Sequence, residues 1–286
     1  MDPSSIKTVA VLGAGTMGHG IAQLAAVAGY DVVLWDLDQP RWEAGITKIL
    51  GNLQKGVEKG KLDTATRDAA LSRIRGTESL SDAARACDLC IEAVPEELAL
   101  KLKVLGEIAA KGKADAILAS NTSGLALTEL AAALPGPQRV VGMHFFNPPH
   151  LMELVEIVRA HQSSPEVVAA ARAVAERMGK EVIVVRDSPG FASSRLGIAL
   201  AMEAIRMLEE GVASAEEIDR AMELGYGHPM GPLKLTDLVG LDVRMAIGEY
   251  LHRELGGPQF RPPQLLKRLV RAGKLGKKSG EGFYRY

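Results

Sequence analysis

Residues 6–18 read Ile-Lys-Thr-Val-Ala-Val-Leu-Gly-Ala-Gly-Thr-Met-Gly, and this stretch decides the fold. The aliphatic run over residues 6–12 predicts a strand buried on both faces, as in a parallel sheet. Small and apolar residues over 17–28 predict a tightly packed helix that ends at Gly29, and residues 31–35 predict a second strand. A strand, a helix and a strand within about thirty residues make the crossover unit that parallel strands require.

A glycine-rich turn joins the first strand to the helix and reads Gly13-Ala-Gly15-Thr-Met-Gly18. Gly13 allows a tight turn, Gly15 lets a pyrophosphate approach the backbone, and Gly18 lets the helix pack closely against the sheet. Because the helix N-terminus presents N–H groups to phosphates, Thr16 and Met17 belong to the same expected site. A turn that binds nothing is the alternative, but the flanking strand and helix favour a dinucleotide.

Asp36 lies at the end of the second strand, about twenty residues beyond the glycine-rich turn. A carboxylate at this place accepts hydrogen bonds from the adenosine ribose and repels the extra phosphate of NADP. NAD is therefore the expected cofactor, although the nearby Arg41 weakens the argument against NADP.

Strand and helix patterns continue to alternate along the chain as far as residue 187. Residues 40–73 are polar and helix-forming, and they predict a helical excursion after the second strand. Further strands are predicted over 88–94, 116–120, 139–144, 153–158 and 181–186, and helices over 97–110, 126–133 and 165–178. We predict an α/β fold with a doubly wound Rossmann-type parallel sheet over residues 1–187.

The strand patterns stop after Asp187, and the rest of the chain predicts helices only. Apolar side chains recur at helical spacing from Ile198 to Leu208, and Ser214 with Glu217 forms a capping box for the next helix. Helices are also predicted over 236–255 and 262–272. Residues 188–286 are therefore expected to form an all-helical C-terminal domain, in agreement with about two domains for a chain of 286 residues.

The composition excludes several classes of partner. A net charge of −1 gives no field to attract nucleic acid or an anionic membrane. The first residues lack the basic and apolar regions of a signal peptide, and the apolar stretches are too short or interrupted to span a bilayer, so we expect a cytoplasmic protein.

Cys87 and Cys90 form a CxxC that runs into a predicted strand, which favours two packed core thiols over a redox or metal site.

His144 lies at the end of the predicted strand 139–144, in the segment Val-Val-Gly-Met-His-Phe-Phe-Asn-Pro-Pro. Ligands of a doubly wound sheet bind beyond the carboxyl ends of its strands, and histidine changes protonation near neutral pH. His144 is therefore the candidate base for oxidising a hydroxyl group, with a buried structural histidine as the alternative.

Two further segments supply polar side chains to the same edge. Glu156 lies on a strand that could fold back beside His144 after Pro148-Pro149, where a carboxylate would fix the imidazole; a lone exposed strand glutamate is an equal alternative. Ser120-Asn121-Thr122-Ser123 closes another strand and could orient a substrate hydroxyl or the nicotinamide amide. A turn that caps the following helix explains that segment equally well.

At this point the residues match a known family, and the chain resembles the 3-hydroxyacyl-CoA dehydrogenases, especially their short bacterial 3-hydroxybutyryl-CoA type. The match covers essentially the full length. Its segments after the glycine-rich turn are Glu92-Ala-Val-Pro-Glu96, Ser120-Asn-Thr-Ser123, His144-Phe-Phe-Asn-Pro-Pro149, Asp187-Ser-Pro-Gly-Phe191, Gly231-Pro232, Asp237-Leu-Val-Gly-Leu-Asp242 and Gly276-Lys-Lys-Ser-Gly-Glu-Gly-Phe-Tyr284.

The resemblance implies hydride transfer between NAD and a 3-hydroxyacyl-CoA, with 3-hydroxybutyryl-CoA as the expected substrate and a 3-ketoacyl-CoA as the product. It implies His144 as the general acid/base, Glu156 as its partner and Ser123 as the residue that binds the substrate oxygen. The remaining assignments that it implies are Glu96, Lys101 and Asn121 in the NAD site, Lys55, Lys59 and Lys61 at the CoA phosphates, and a C-terminal domain that forms a homodimer.

One residue departs from the family pattern. The family usually has an asparagine before the arginine that follows Pro-Gly-Phe, whereas this chain has Ser194 before Arg195. A serine offers a shorter side chain with one donor, so the contact to the substrate carbonyl is expected to change.

Two rival functions remain from the sequence. A dehydrogenase of a free hydroxy acid or sugar acid would share the architecture but would not depend on CoA. A dinucleotide-binding sensor without turnover would bind NAD and would be unaffected by the loss of His144.

Overall fold

The structure, a computed structural model, describes residues 2–286. Two compact units are distinguished, Met1–Ser188 and Pro189–Tyr286. Within the described residues, no helix is both long and apolar enough to cross a membrane.

The first unit contains one eight-stranded sheet in the described residues, in the order β3-β2-β1-β4-β5-β6-β7-β8. The strands are β1 (Thr8–Leu12), β2 (Asp31–Trp35), β3 (Ile74–Thr77), β4 (Leu89–Glu92), β5 (Ile117–Ser120), β6 (Val140–Phe145), β7 (Leu154–Arg159) and β8 (Glu181–Arg186). All neighbouring pairs are parallel except β6 with β7, which is antiparallel. The prediction of a doubly wound, mostly parallel sheet is confirmed.

Seven helices accompany this sheet within the described residues. They are α1 (Gly18–Val27), α2 (Gln39–Glu58), α3 (Thr64–Ser72), α4 (Leu80–Ala86), α5 (Leu98–Lys111), α6 (Leu127–Ala132) and α7 (Pro165–Arg177). Aliphatic side chains of β1, β2 and β4 are wholly buried in the core together with the small apolar face of α1, as the composition of these segments predicts.

The helical excursion predicted over 40–73 is confirmed, and it consists of the two helices α2 and α3. Asp38 caps α2 by accepting a hydrogen bond from the Arg41 N–H, and Asp63 caps α3 in the same way at Thr66. Gly60 has a positive φ of 66° and turns the chain between the two helices. Strand β3 was not predicted from the sequence, because Ile-Arg-Gly-Thr is a short, partly exposed edge strand without an aliphatic run.

The second unit is helical, as predicted, and its helices are α8 (Ser193–Glu209), α9 (Ala215–Tyr226), α10 (Pro232–Val239), α11 (Leu241–Leu255) and α12 (Gln264–Arg271). The capping box of Ser214 and Glu217 at α9 is confirmed. Residues 236–255 are helical as predicted, but Gly240, at φ 107°, divides them between α10 and α11.

Two buried aspartates organise this unit. The Asp219 carboxylate accepts hydrogen bonds from the N–H groups of Leu233 and Lys234 at the start of α10. The Asp237 carboxylate accepts from the N–H groups of Phe283 and Tyr284 and so fastens the C-terminal segment to α10.

Candidate active site

The candidate site lies in the first unit, at the edge of the sheet where β1, β2, β4, β5 and β6 end. Because these strands are parallel, the segments that follow them meet at one edge. The segments begin at Gly13, Asp36, Ala93, Asn121 and Phe146, so the motifs singled out in the sequence converge there.

The glycine-rich turn has the geometry of a dinucleotide cradle. Gly13 has a φ of 101°, which strains any other residue, and a side chain at Gly18 would collide with the Gly13 carbonyl. A Cβ built at Gly15 meets no atom within 4 Å, so this backbone is open to a ligand. Thr16 is exposed in the same turn, two residues before the N-terminus of α1, where helices favour anionic groups.

Asp36 is held beside that turn by two backbone groups. Its carboxylate accepts hydrogen bonds from the Ala14 N–H at 2.9 Å and the Leu37 N–H at 2.8 Å. A cavity of about 420 Å³ joins Asp36 to Gly13, Gly15 and Trp35 and also includes Arg41. The residues fit the adenosine end of a dinucleotide, because the cavity combines an apolar wall with a fixed carboxylate.

Arg41 is engaged away from Asp36. Its guanidinium makes an ion pair with Asp38 at 3.1 Å, and both side chains are about half exposed. Such an exposed pair is weak, so Arg41 retains the freedom to rearrange in this cavity.

A second cavity, of about 340 Å³, is lined by several of the site residues predicted from the sequence and is named the His144 cavity. It is lined by Met17, Glu96, Lys101, Asn121, Ser123 and His144, among others. Six residues from four separate segments of the sequence therefore share one cavity. Within residues 2–286, no group of three or more histidine, cysteine, aspartate or glutamate side chains could hold a metal ion.

His144 and Glu156 face each other across the antiparallel pair β6 and β7. The His144 Nδ1 lies 2.8 Å from the Glu156 Oε2, and the Glu156 side chain is wholly buried. Glu156 is thus not the exposed strand residue that the sequence allowed as an alternative. A buried carboxylate at this nitrogen fixes the tautomer of the imidazole and stabilises its charged form.

The segment Ser120-Asn-Thr-Ser123 does not cap the next helix, since α6 begins at Leu127 with Ala126 as its N-cap. Instead, its side chains and backbone make hydrogen bonds to the segment that follows β4 and to the end of β6. The Asn121 Oδ1 accepts a hydrogen bond from the Phe145 N–H at 2.9 Å and so fixes the end of the strand that carries His144. The Thr122 hydroxyl donates to the Glu96 carboxylate at 2.5 Å, and the Ser123 N–H donates to the same oxygen at 2.9 Å.

Glu92 is a buried charged residue whose role the sequence analysis missed. It ends β4 with no exposed surface, and its carboxylate accepts hydrogen bonds from the Lys101 Nζ, the Val94 N–H and the Ser120 hydroxyl. Burial raises the pKa of Glu92 above its ordinary value, and the Lys101 ammonium offsets only part of this rise. Because a fully buried glutamate is rare unless it is paired, the glutamate after Leu-Cys-Ile was a usable signal.

Glu96 shows the opposite balance, since its pKa is held below the ordinary value. Burial alone would raise this pKa, but Lys101 and the hydroxyl of Thr122 outweigh the effect. Glu96 is therefore a carboxylate that stays ionised while its side chain, 41% exposed, lines the His144 cavity.

The three candidate CoA lysines share a third cavity, of about 400 Å³. Lys55, Lys59 and Lys61 line it together with Leu24 and His150. All three lysines are exposed, and the fold gathers them around one cavity.

One buried lysine fixes the loop that runs from the His144 cavity to this third cavity. The Lys180 Nζ donates to the carbonyls of Pro149 at 2.8 Å and Met152 at 2.7 Å. Asn147 of this loop lines the His144 cavity, and His150 and Leu151 line the lysine cavity.

Ser194 lies in the second unit, as the second residue of α8, and it is half-buried.

In the first unit, both cysteines are buried, Cys90 within β4 and Cys87 at the end of α4, so the prediction of two packed core thiols is confirmed.

Comparison with known proteins identifies the family. Residues 8–188 match the family model described as 3-hydroxyacyl-CoA dehydrogenase, NAD binding domain, and residues 190–286 match the model of the C-terminal domain. The chain is 45% identical over 281 residues to a 3-hydroxybutyryl-CoA dehydrogenase of Bradyrhizobium diazoefficiens, covering 98% of this chain and 96% of that one. It is 42% identical over 284 residues to the 3-hydroxybutyryl-CoA dehydrogenase of Mycobacterium tuberculosis, covering 99% of each chain.

A solved structure agrees with the sequence comparison. The (S)-3-hydroxybutyryl-CoA dehydrogenase of Ralstonia eutropha superimposes with a TM-score of 0.96 at 44% identity, covering 99% of both chains. With a matching NAD-binding domain, a matching C-terminal domain and full-length relatives, the chain belongs to the 3-hydroxyacyl-CoA dehydrogenase family of NAD-dependent oxidoreductases.

Proposed function

We propose that the protein interconverts 3-hydroxybutyryl-CoA and its 3-keto form, with His144 as the general acid/base. The observation that carries the proposal is the hydrogen bond of 2.8 Å from His144 to the buried Glu156 at the wall of a cavity that also contains Ser123. A structural histidine needs no such cavity, whereas a proton-transferring one needs both a fixed tautomer and access to substrate.

Hydride acceptance is the chemistry that NAD supplies when it is bound. Gly15 leaves room for its pyrophosphate, while Gly13 and Gly18 allow the tight turn and the close approach of α1; Asp36, in the adjoining cavity, is proposed to accept hydrogen bonds from its adenosine ribose. We assign the proton exchange to the His144 Nε2, because Nδ1 is bonded to Glu156. The imidazole takes the proton of the C3 hydroxyl in oxidation and returns it in reduction, and Glu156 stabilises the imidazolium between these steps.

Ser123 is proposed to hold the reacting oxygen. Its hydroxyl lies 3.4 Å from the Glu96 Oε1, a long contact that a substrate oxygen could replace. A hydroxyl both donates and accepts, so Ser123 can follow the oxygen as it changes from alcohol to carbonyl. Ser194 replaces the family asparagine, and its hydroxyl, on a shorter side chain, is proposed to donate a hydrogen bond to a substrate carbonyl.

The CoA moiety is proposed to bind at Lys55, Lys59 and Lys61. Three cations around one cavity suit phosphate groups, and the apolar Leu24 and Leu151 in the same wall suit the uncharged parts of the ligand. We further propose a homodimer in the cytoplasm. The large apolar side chains of Leu196, Leu224 and Tyr226, each more than 70% exposed in the second unit, support an interface there.

Steady-state oxidation of NADH with acetoacetyl-CoA, set beside free acetoacetate, tests the proposed function. We expect turnover with the CoA ester and, at equal concentration, a kcat/KM about 10³-fold lower with the free acid, because the binding energy of the CoA moiety is lost. Equal kcat/KM values would assign the enzyme to free hydroxy acids. Tight NADH binding without turnover of either compound would overturn the proposed substrate and assign the enzyme to another hydroxy acid.

A further inference from the structure

Glu92 does not line the His144 cavity itself, but it accepts hydrogen bonds from two residues that do, Val94 and Lys101. Its Oε1 accepts from the Lys101 Nζ at 2.8 Å and the Val94 N–H at 2.7 Å, and its Oε2 accepts from the Ser120 hydroxyl at 2.7 Å. The first two groups can only donate, so they favour the ionised carboxylate over the protonated acid. Glu92 is thus a fixed negative charge one residue away from the surface of the cavity.

Lys101 lies between two carboxylates and is itself only 1% exposed. Its ammonium contacts the Glu92 Oε1 at 2.8 Å, the Glu96 Oε2 at 3.0 Å and the Val94 carbonyl at 3.3 Å. These three acceptors match the three protons of an ammonium group. One cation between two anions leaves one negative charge in excess, and it faces the cavity at Glu96, because Glu92 is buried.

The nicotinamide ring has to lie in this same cavity, a step that rests on the proposed function. Hydride transfer needs the two reacting carbons within about 3.5 Å of each other, and the C3 hydroxyl is taken to contact His144. Met17, from the glycine-rich turn, forms part of the same wall. The ring carries a positive charge in NAD⁺ and none in NADH, so a nearby charge acts on only one of the two forms.

We propose that Glu92 is a positioning residue that neutralises Lys101, and so keeps the charge of Glu96 directed at the nicotinamide and favours NAD⁺ over NADH. Without Glu92, Lys101 would neutralise Glu96 instead, and the wall would lose its net charge. Glu92 touches neither cofactor nor substrate in this scheme and acts through the ammonium alone.

The test measures the dissociation constants of NAD⁺ and NADH separately, on the intact protein and without an acyl substrate. We expect Glu92→Gln to raise the ratio Kd(NAD⁺)/Kd(NADH) about tenfold, because the Coulomb attraction that acts only on the oxidised ring is lost. The double variant Glu92→Gln/Lys101→Met removes both charges, leaves Glu96 unneutralised and should return the ratio to the wild-type value. Asp88→Asn, at the other end of β4, is the matched control and should leave the ratio unchanged.

An unchanged ratio in Glu92→Gln overturns the proposal, and so does a raised ratio that persists in the double variant, since the effect would then come from packing. If Glu92→Gln does not fold, Glu96→Gln takes its place, because removing the excess charge directly must raise the same ratio; a constant ratio there also overturns the proposal. None of these measurements needs turnover, so a failure of the acyl-CoA assignment is seen separately, in the assay with acetoacetyl-CoA.

Discussion

The two ends of strand β4 each carry a carboxylate, and the two are used differently. Asp88 precedes the strand, accepts hydrogen bonds from the N–H groups of Lys7 and Thr8, and pairs with Lys113 at 2.6 Å near the surface. Glu92 ends the strand with no exposed surface and pairs at 2.8 Å with Lys101, which lines the His144 cavity. One carboxylate fastens the amino edge of the sheet, and the other belongs to the carboxyl edge, where ligands of parallel sheets bind.

Their pKa values follow the same division. Burial raises the pKa of Glu92 above its ordinary value. Partial burial also acts to raise the pKa of Asp88, but hydrogen bonds from Lys113 and from two backbone N–H groups outweigh it and hold the pKa low. The carboxylate at the amino edge therefore stabilises the fold in its ionised form. The carboxylate at the carboxyl edge is buried at a cost to its ionised form, as is common for residues at functional sites.

Removing the imidazole at the carboxyl edge should have the largest effect. We expect His144→Ala to lower kcat with acetoacetyl-CoA by about 10³- to 10⁴-fold, the upper part of the range of about 10²- to 10⁴-fold for general acid/base catalysis, while NADH still binds. His161→Ala, an exposed histidine of the same unit, is the control. Turnover within about tenfold of the wild type would refute the assignment of the acid/base.

Removing the charge behind that imidazole should have a smaller effect. Glu156→Gln keeps the shape of the side chain but cannot stabilise the imidazolium, so kcat should fall about 100-fold in steady-state assays. The control is Glu153→Gln, an exposed glutamate just before β7. Equal kcat values in the two variants would mean that Glu156 only packs against His144.

The lysines of the third cavity should affect KM rather than kcat. Each of Lys55→Ala, Lys59→Ala and Lys61→Ala is expected to raise the KM for acetoacetyl-CoA about threefold, and the effect should shrink at high salt, because exposed charges are screened. Lys103→Ala, an exposed lysine of α5, is the control for each. A KM that is unchanged in all three would place the CoA moiety elsewhere.

Asp88→Asn should leave activity unchanged and lower stability. Loss of charged hydrogen bonds to Lys7, Thr8 and Lys113 is expected to cost about 1–3 kcal/mol in the free energy of unfolding, measured with urea. The folded-state pKa of Asp88 is depressed, so its contribution is present above the unfolded-state pKa and is lost as the pH falls through the folded-state value. The stability difference between wild type and variant should therefore shrink in acid; a difference that is constant with pH would contradict this role.

Much of the first unit was predictable from local patterns. Aliphatic runs marked β1 and β2, glycines marked the cradle between β1 and α1, and the position of His144 at the end of a strand marked the edge of the candidate site. These features are local because a buried parallel strand and a tight turn restrict the residues that form them. The short edge strand β3 and the break at Gly240 escaped prediction, since the first lacks a pattern and the second depends on a single backbone angle.

The sequence by itself determined the cofactor cradle and the family, and it singled out His144 as the candidate acid/base, because each depends on residue types at fixed local spacing. Only the tertiary structure decided between alternatives that depend on distant partners. The register of β6 with β7 buries Glu156 against His144, and the packing of α5 against β4 brings Lys101 between Glu92 and Glu96. The strength and direction of a charge depend on its burial and its neighbours, and folding sets both.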